Sequence, residues 1–264
     1  MSAAPVPASP APAAEARRPA ALAPLVGLTA RGLLGRRRSL GVVALAAAPV
    51  LVAAILAIAG GLGDAETLAF DVFGTITLGL VVPLAALVFG TAALGTLIDD
   101  GTIVYLLVKP IRRSTVVLAA MLVAGGAAAA LTVSATLASG VLVLGLASPG
   151  LLFGMAAGAA LASILYVVVF VTLSVYTSRA LIVGLGYVLV WEGLVTSLLT
   201  GTRILSIREY ALAVVAAFGG DGVAGTERTG VELPVAVVLS VAVIVISFVL
   251  GSRRLGRFEV GEAG

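Results

Sequence analysis

Few residues in this chain could do chemistry. Cysteine and histidine are both absent, which removes thiolate nucleophiles, imidazole bases and the commonest soft metal ligands. The charged residues that stand out fall in two places. One is the dense stretch LIDDGTIVYLLVKPIRRST, Leu97 to Thr115, with two acids at its head and Lys109, Arg112 and Arg113 behind them. The other is Glu192, one acid deep inside an apolar run. Neither pattern has the spacing of a metal site or of a general acid paired with a base. A phosphate-binding loop needs G-x-x-x-x-G-K-[ST], and the only lysine, Lys109, is followed by Pro110. The chain therefore carries no nucleotide site of its own, no catalytic residue and no metal or cofactor site that the sequence reveals.

The elements that must position these residues are apolar. Some 61% of the 264 residues are hydrophobic and 11% charged, against about 45–50% and about 25% in soluble domains. A soluble protein of this size could not bury that much apolar surface. The expected class is an all-α integral membrane protein. The net charge of +3 does not argue for nucleic acid, because the arginines stand at the ends of apolar runs rather than along one soluble face.

A helix needs about 20 apolar residues to cross the hydrocarbon layer. On that measure six spans are expected: Leu40–Gly61, Val72–Leu97 with a kink at Pro83, Thr115–Ala147, Leu151–Thr177, Ala180–Leu199 and Pro234–Gly251. Between Ser114 and Ser178 there is no charge, and the turn signal Ser148-Pro149-Gly150 divides that run in two. Placing both termini in the cytoplasm puts all but Arg203, Arg208 and Arg228 of the 16 basic residues on the inner side, as the positive-inside rule requires. Asp64, Glu66 and Asp71 then lie on a short first outer loop.

Around these spans, residues 1–24 form an Ala/Pro-rich tail expected to be disordered, and a poor signal peptide. Residues 25–252 form one transmembrane domain. It opens with an interfacial helix over 25–38, where Leu25, Val26 and Leu33, with Leu22 before them, recur at helical spacing and Arg31 and Arg36–Arg38 supply a basic side; the other reading of this segment is a plain positive-inside anchor. Residues 253–264 form a cytoplasmic tail. Between spans five and six, Ser206-Ile207-Arg208-Glu209 has the S-x-x-E capping pattern. An apolar run to Phe218 follows, stopped by Gly219-Gly220. This predicts a short helix dipping into or lying on the outer leaflet.

Back at the charged stretch, Asp99 and Asp100 suit the N-terminal dipole of a short helix over Gly101–Val108, and Lys109 its C-terminus. Pro110 opposes continuation. Two readings follow: a cytoplasmic helix offering Tyr105, Leu106 and Leu107 to a groove on another protein, or a solvated loop whose bases only fix topology.

The run Asp100-Gly101-Thr102-Ile103-Val104-Tyr105-Leu106-Leu107-Val108-Lys109-Pro110-Ile111-Arg112-Arg113 also resembles the cytoplasmic loop of type-2 ATP-binding-cassette (ABC) exporter permeases. The likeness extends to the span pattern, the preceding interfacial helix and the helix between spans five and six. It implies a permease subunit of the cell membrane that pairs with a second permease, identical or similar. It implies too a coupling helix, carried here by Asp100, Gly101, Thr102, Tyr105, Leu106, Leu107, Lys109, Pro110 and Arg112, that docks on a separate ABC-type ATPase. Asp99-Asp100 departs from the glutamates that many members carry. Rival readings are an ATP-independent secondary transporter or channel, and a non-transporting membrane scaffold.

Candidate transport-path residues are Glu192, Thr75 and Thr172. A charge at the bilayer centre costs about 2.5–3.5 kcal/mol, so Glu192 either faces a polar interior or sits hydrated near the surface beside Trp191. Hydroxyls such as Thr75, Thr77, Thr91, Thr96, Ser163, Thr172, Ser174 and Thr177 either line a cavity or bond their own helix. Gly150, Gly154, Gly158 and Ala162 recur every four residues, a small-residue face for helix packing within or between subunits.

Overall fold

In the computed structural model, the described residues are 36–59, 65–99, 113–198, 200–219 and 230–256. The regular structure among them is entirely helical. In chain order it comprises α1 (Arg36–Ile58), α2 (Ala65–Val72), a π-helical stretch (Phe73–Val81) running into α3 (Val82–Asp99), α4 (Arg113–Leu144) and α5 (Pro149–Tyr176). Then come α6 (Ala180–Gly186), a second π-helical stretch (Tyr187–Val195), the short α7 (Thr196–Leu198), a 3-10 turn (Thr200–Leu205), α8 (Ile207–Phe218) and α9 (Leu233–Gly256). Among the described residues, five stretches are long and apolar enough to cross a membrane: Leu40–Ile58, Ala65–Gly95, Arg113–Leu144, Pro149–Tyr176 and Leu233–Gly256. A chain built this way is a multi-pass membrane protein, because helices satisfy their own backbone groups where no water can.

The predicted run over 180–199 is a shorter apolar helix, Ala180–Val195, and does not reach that length. The predicted interfacial helix over 25–38 lies outside the described residues except for Arg36–Arg38, which form the opening turn of α1. Glu66 and Asp71, expected on a loop, belong to α2, which extends the second run toward its N-terminus. Glu66 in the first turn suits the helix dipole there.

The division of the uncharged run stands where the turn signal put it. Gly145 takes a left-handed φ of 61°, the conformation glycine adopts without strain. Ser148 precedes Pro149 at the first turn of α5, where proline's missing N–H costs nothing. The Ser148 hydroxyl donates to Glu66 Oε1, tying the α4–α5 turn to α2. The disturbance expected at Pro83 takes the form of the π-helical stretch just before it. Val82 N–H bonds Thr77 O, five residues back, which relieves the ladder where the proline ring would otherwise clash.

Helix α5 is the axis of the fold. It packs against α3, α4, α8 and α9, and Leu165, Tyr166, Val167, Phe170 and Val171 along it are fully buried. By contrast, α1 and α9 leave broad apolar faces outward, including Leu51, Ile55, Val238, Val245 and Ile246. Those faces suit a lipid solvent.

Candidate functional site: the buried carboxylate and the α8 seam

Glu192 lies on the second π-helical stretch and is buried. Both of its carboxylate oxygens are occupied by the start of α8. Ser206 Oγ donates to Oε2 at 2.6 Å, and the Ile207 backbone N–H donates to Oε1 at 3.0 Å. The first N–H groups of a helix have no partner within it, and a carboxylate there is favoured by the dipole. Glu192 therefore acts as the N-terminal cap of α8 although it stands fifteen residues away in sequence.

The local pattern Ser206-x-x-Glu209 placed the helix start correctly and its bonding differently. Ser206 is the cap residue, yet its hydroxyl makes no cap bond to α8 and turns to Glu192 instead. Glu209 accepts from the backbone N–H of Gly230 at 3.0 Å, fastening α8 to the chain entering α9. Tyr210 donates to Ile204 O at 2.7 Å across the 3-10 turn.

Two further polar groups crowd the same carboxylate. Tyr166, fully buried on α5, sits beside Glu192 but makes no hydrogen bond of regular geometry. Arg208 extends from the first turn of α8 toward Gly74 on the first π-helical stretch. A Cβ added at Gly74 would lie 3.6 Å from its Nη2, and its buried Nε has no hydrogen-bond partner. Tyr187 also lies beside Glu192, five residues earlier on the same π-helical stretch. The rings of Tyr166, Phe170 and Tyr187 form a column, with centroids 6.1 and 6.4 Å apart. At about 1.5 Å per residue, Tyr166 stands well inside α5 rather than at its end.

Helix α8 runs from this cluster toward the Pro149 end of α5, lying directly on the small-residue face. A Cβ added at Gly150 would fall 2.6 Å from Phe218 O, at Gly154 3.0 Å from Val215 O, and at Gly158 2.9 Å from Ala211 O. Only glycine allows a carbonyl row to approach so closely. The face expected to pack within or between subunits thus packs within the chain. The short helix is itself largely buried, with Ile207, Tyr210, Ala211, Leu212, Ala213 and Val215 inside.

The three transport-path candidates occupy different surroundings. Glu192 caps α8. Thr75 is exposed on the first π-helical stretch. Thr172 is buried on α5 and donates a shared bond to Val168 O at 2.8 Å and to Ser247 O of α9 at 2.9 Å. Thr91 and Ser174 bond their own helices. Ser163 does the same and also meets Thr132 of α4 at 2.8 Å. Thr77 is buried with no partner for its hydroxyl. Thr177 Oγ1 accepts from the Arg179 backbone N–H.

The coupling candidates Asp100, Gly101, Thr102, Tyr105, Leu106, Leu107, Lys109, Pro110 and Arg112 lie outside the described residues. Arg113, which follows them, opens α4 and donates from Nη1 to Leu255 O at 2.9 Å and Gly256 O at 2.6 Å, capping the C-terminus of α9. No group of three or more acidic side chains able to hold a metal occurs among the described residues. Sequence reasoning passed over Tyr166 and Arg208. A tyrosine deep in an apolar run was the available signal for the first, and a base just after a capping serine for the second.

Compared with protein-family models and with curated proteins, the chain matches none of either.

Proposed function

We propose that the chain is the membrane-spanning permease subunit of an ATP-driven exporter. It would have six spans with both termini in the cytoplasm, and would move substrate by alternating access while a separate ABC-type ATPase supplies the work. A second permease subunit completes the path. The observation that carries this reading is the segment from Asp100 to Arg113, with its acids, its G-T-hydrophobic-x-x-L-L core and its basic, proline-bearing end. The segment joins two long apolar stretches, Ala65–Gly95 and Arg113–Leu144. Its last residue is bonded to the C-terminal turn of α9, so a push on the segment would reach two helices at once. In this scheme the run over 180–199 is the fifth crossing, 234–251 is the sixth, and α8 lies between them at the outer leaflet. Glu192, Thr75 and Thr172 remain the candidates for the path, and the chain itself carries no nucleotide chemistry.

The test is affinity purification of the full-length chain from its own membranes. An ABC-type ATPase subunit is expected to co-purify, and replacing Tyr105 and Leu106 together by alanine should release it. Absence of any ATPase, with the loop variant behaving as the parent does, would defeat the reading. Because the chain has no cysteine, Tyr105→Cys also gives a single reporter. It should react with an impermeant maleimide only from the cytoplasmic face.

A further inference from the structure

Arginines gather at the end of the bundle where α4 begins and α5 and α9 finish. Arg113 donates there to the carbonyls of Leu255 and Gly256. Arg254, one residue before Leu255, is exposed, and its guanidinium carbon lies 5.7 Å from the centre of the ring of Tyr176, the last residue of α5. Arg253 beside it is exposed, as is Arg179, three residues beyond Tyr176. A guanidinium resting on a ring is held by its face and keeps the N–H fork along its edge for an anion. Phosphate matches that fork with two parallel bonds. Like charges gathered at one end of a bundle also repel, and an anion among them relieves the repulsion.

We infer that Arg254, seated on Tyr176 and flanked by Arg253, forms a binding site for the phosphate headgroup of an anionic lipid.

The apolar surface that leads to Arg254 makes the ligand a lipid rather than free phosphate. Ile246 and Leu250 stand eight and four residues before it, on the same face of α9, and are 56% and 43% exposed. At about 1.5 Å per residue the stripe runs about 12 Å along the helix before it ends in the arginine, so an acyl chain can lie on it while its headgroup meets the guanidinium. Arg179 is placed alike, with Leu181, Ile182 and Val183 exposed just after it. Basic residues at helix ends reach the headgroup level of a membrane, and basic sites between such ends are where acidic headgroups bind. Fixing topology by charge count alone needs no ring beneath Arg254. This inference does not depend on the ATPase reading.

The experiment follows the unfolding midpoint of the full-length protein in detergent as phosphatidylglycerol is added, since a ligand of the folded state raises it with concentration. Phosphatidylglycerol should raise the midpoint, whereas phosphatidylcholine or inorganic phosphate at the same concentration should not. Arg254→Gln should weaken the apparent affinity about fivefold, the effect of one base near an acidic headgroup. Tyr176→Leu keeps every charge and the apolar bulk but removes the ring, and should weaken it about threefold. Arg203→Gln, beside Gly230 at the other end of α9, should leave the affinity unchanged. An equal rise with phosphatidylcholine would mean general solvation by lipid. An equal rise with inorganic phosphate would mean a free-anion site. An affinity unmoved by Tyr176→Leu, or lowered as much by Arg203→Gln as by Arg254→Gln, would mean attraction by net charge alone. Each of these results would overturn the proposal. Arg254→Met carries the same expectation should Arg254→Gln fail to fold.

Discussion

Toward its Pro149 end, α5 meets α8 through glycines, backbone against backbone. Farther along, it meets α4 and α9 through hydroxyls: Ser163 with Thr132, and Thr172 with the carbonyl of Ser247. Both contacts are close, but they fix position differently. A glycine face permits near approach and gains dispersion over many atoms, yet it offers no directional bond. A shared hydroxyl bond sets the register of two helices at one point. The comparison explains why α8 needs anchors beyond its seat, and why those anchors, Glu192 and the Gly230 N–H, come from the chain on either side of it.

The largest effect should come from filling the glycine seam. Gly158→Leu drives a side chain into Ala211 O and Val215 and is expected to cost about 3 kcal/mol, read as a lower unfolding midpoint in detergent. It should unseat α8 first, visible as faster hydrogen exchange over 207–218 than over α4. If α4 and α8 lost protection together, the two contacts would not be separable.

Next comes Thr172→Val, which keeps the shape and removes the donor to Ser247 O. About 1 kcal/mol is expected, in line with interhelical hydrogen bonds in membranes, with increased exchange confined to α9. A uniform loss across the bundle would remove the distinction drawn here.

Smaller still is the coupling between Thr132 and Ser163. Each hydroxyl also bonds its own helix, to Ala128 O and Ala159 O respectively, so a double-mutant cycle with Thr132→Val and Ser163→Ala should give about 0.6 kcal/mol. A value near zero would mean that the self-helix bonds carry both groups. The control is Gly126→Leu on α4, where an added Cβ meets nothing within 4 Å. It should change stability by no more than about 0.5 kcal/mol.

How far the sequence could be read differs by region, for physical reasons. The break between α4 and α5 was legible because Ser148-Pro149 acts locally: a proline at the first turn admits one arrangement of the backbone whatever surrounds it. The start of α8 was legible at Ser206 for a related reason, but its bonding was not. The capping rule assumes that serine and glutamate serve their own helix, and here a distant carboxylate outcompetes them. Glu192 could be singled out as an acid in an apolar run, and the choice between a polar interior and a hydrated surface could not be made from that fact. The fold answers with burial against a helix N-terminus. The second π-helical stretch has no proline to announce it, so nothing local marks Tyr187 and Glu192 as neighbours.

The sequence by itself determined that this is a helical membrane protein and located the five stretches long enough to cross among the described residues, while overestimating the run over 180–199. These follow from composition and from short-range backbone chemistry, which act within a turn or two of each residue. Only the tertiary structure decided that the glycines at 150, 154 and 158 receive α8, that Glu192 caps it, and that Tyr166 and Arg208 come to lie near that carboxylate. Those partners are set by how helices far apart in sequence come to share one buried space, where an unpaired polar group is costly and must take whichever neighbour the packing supplies.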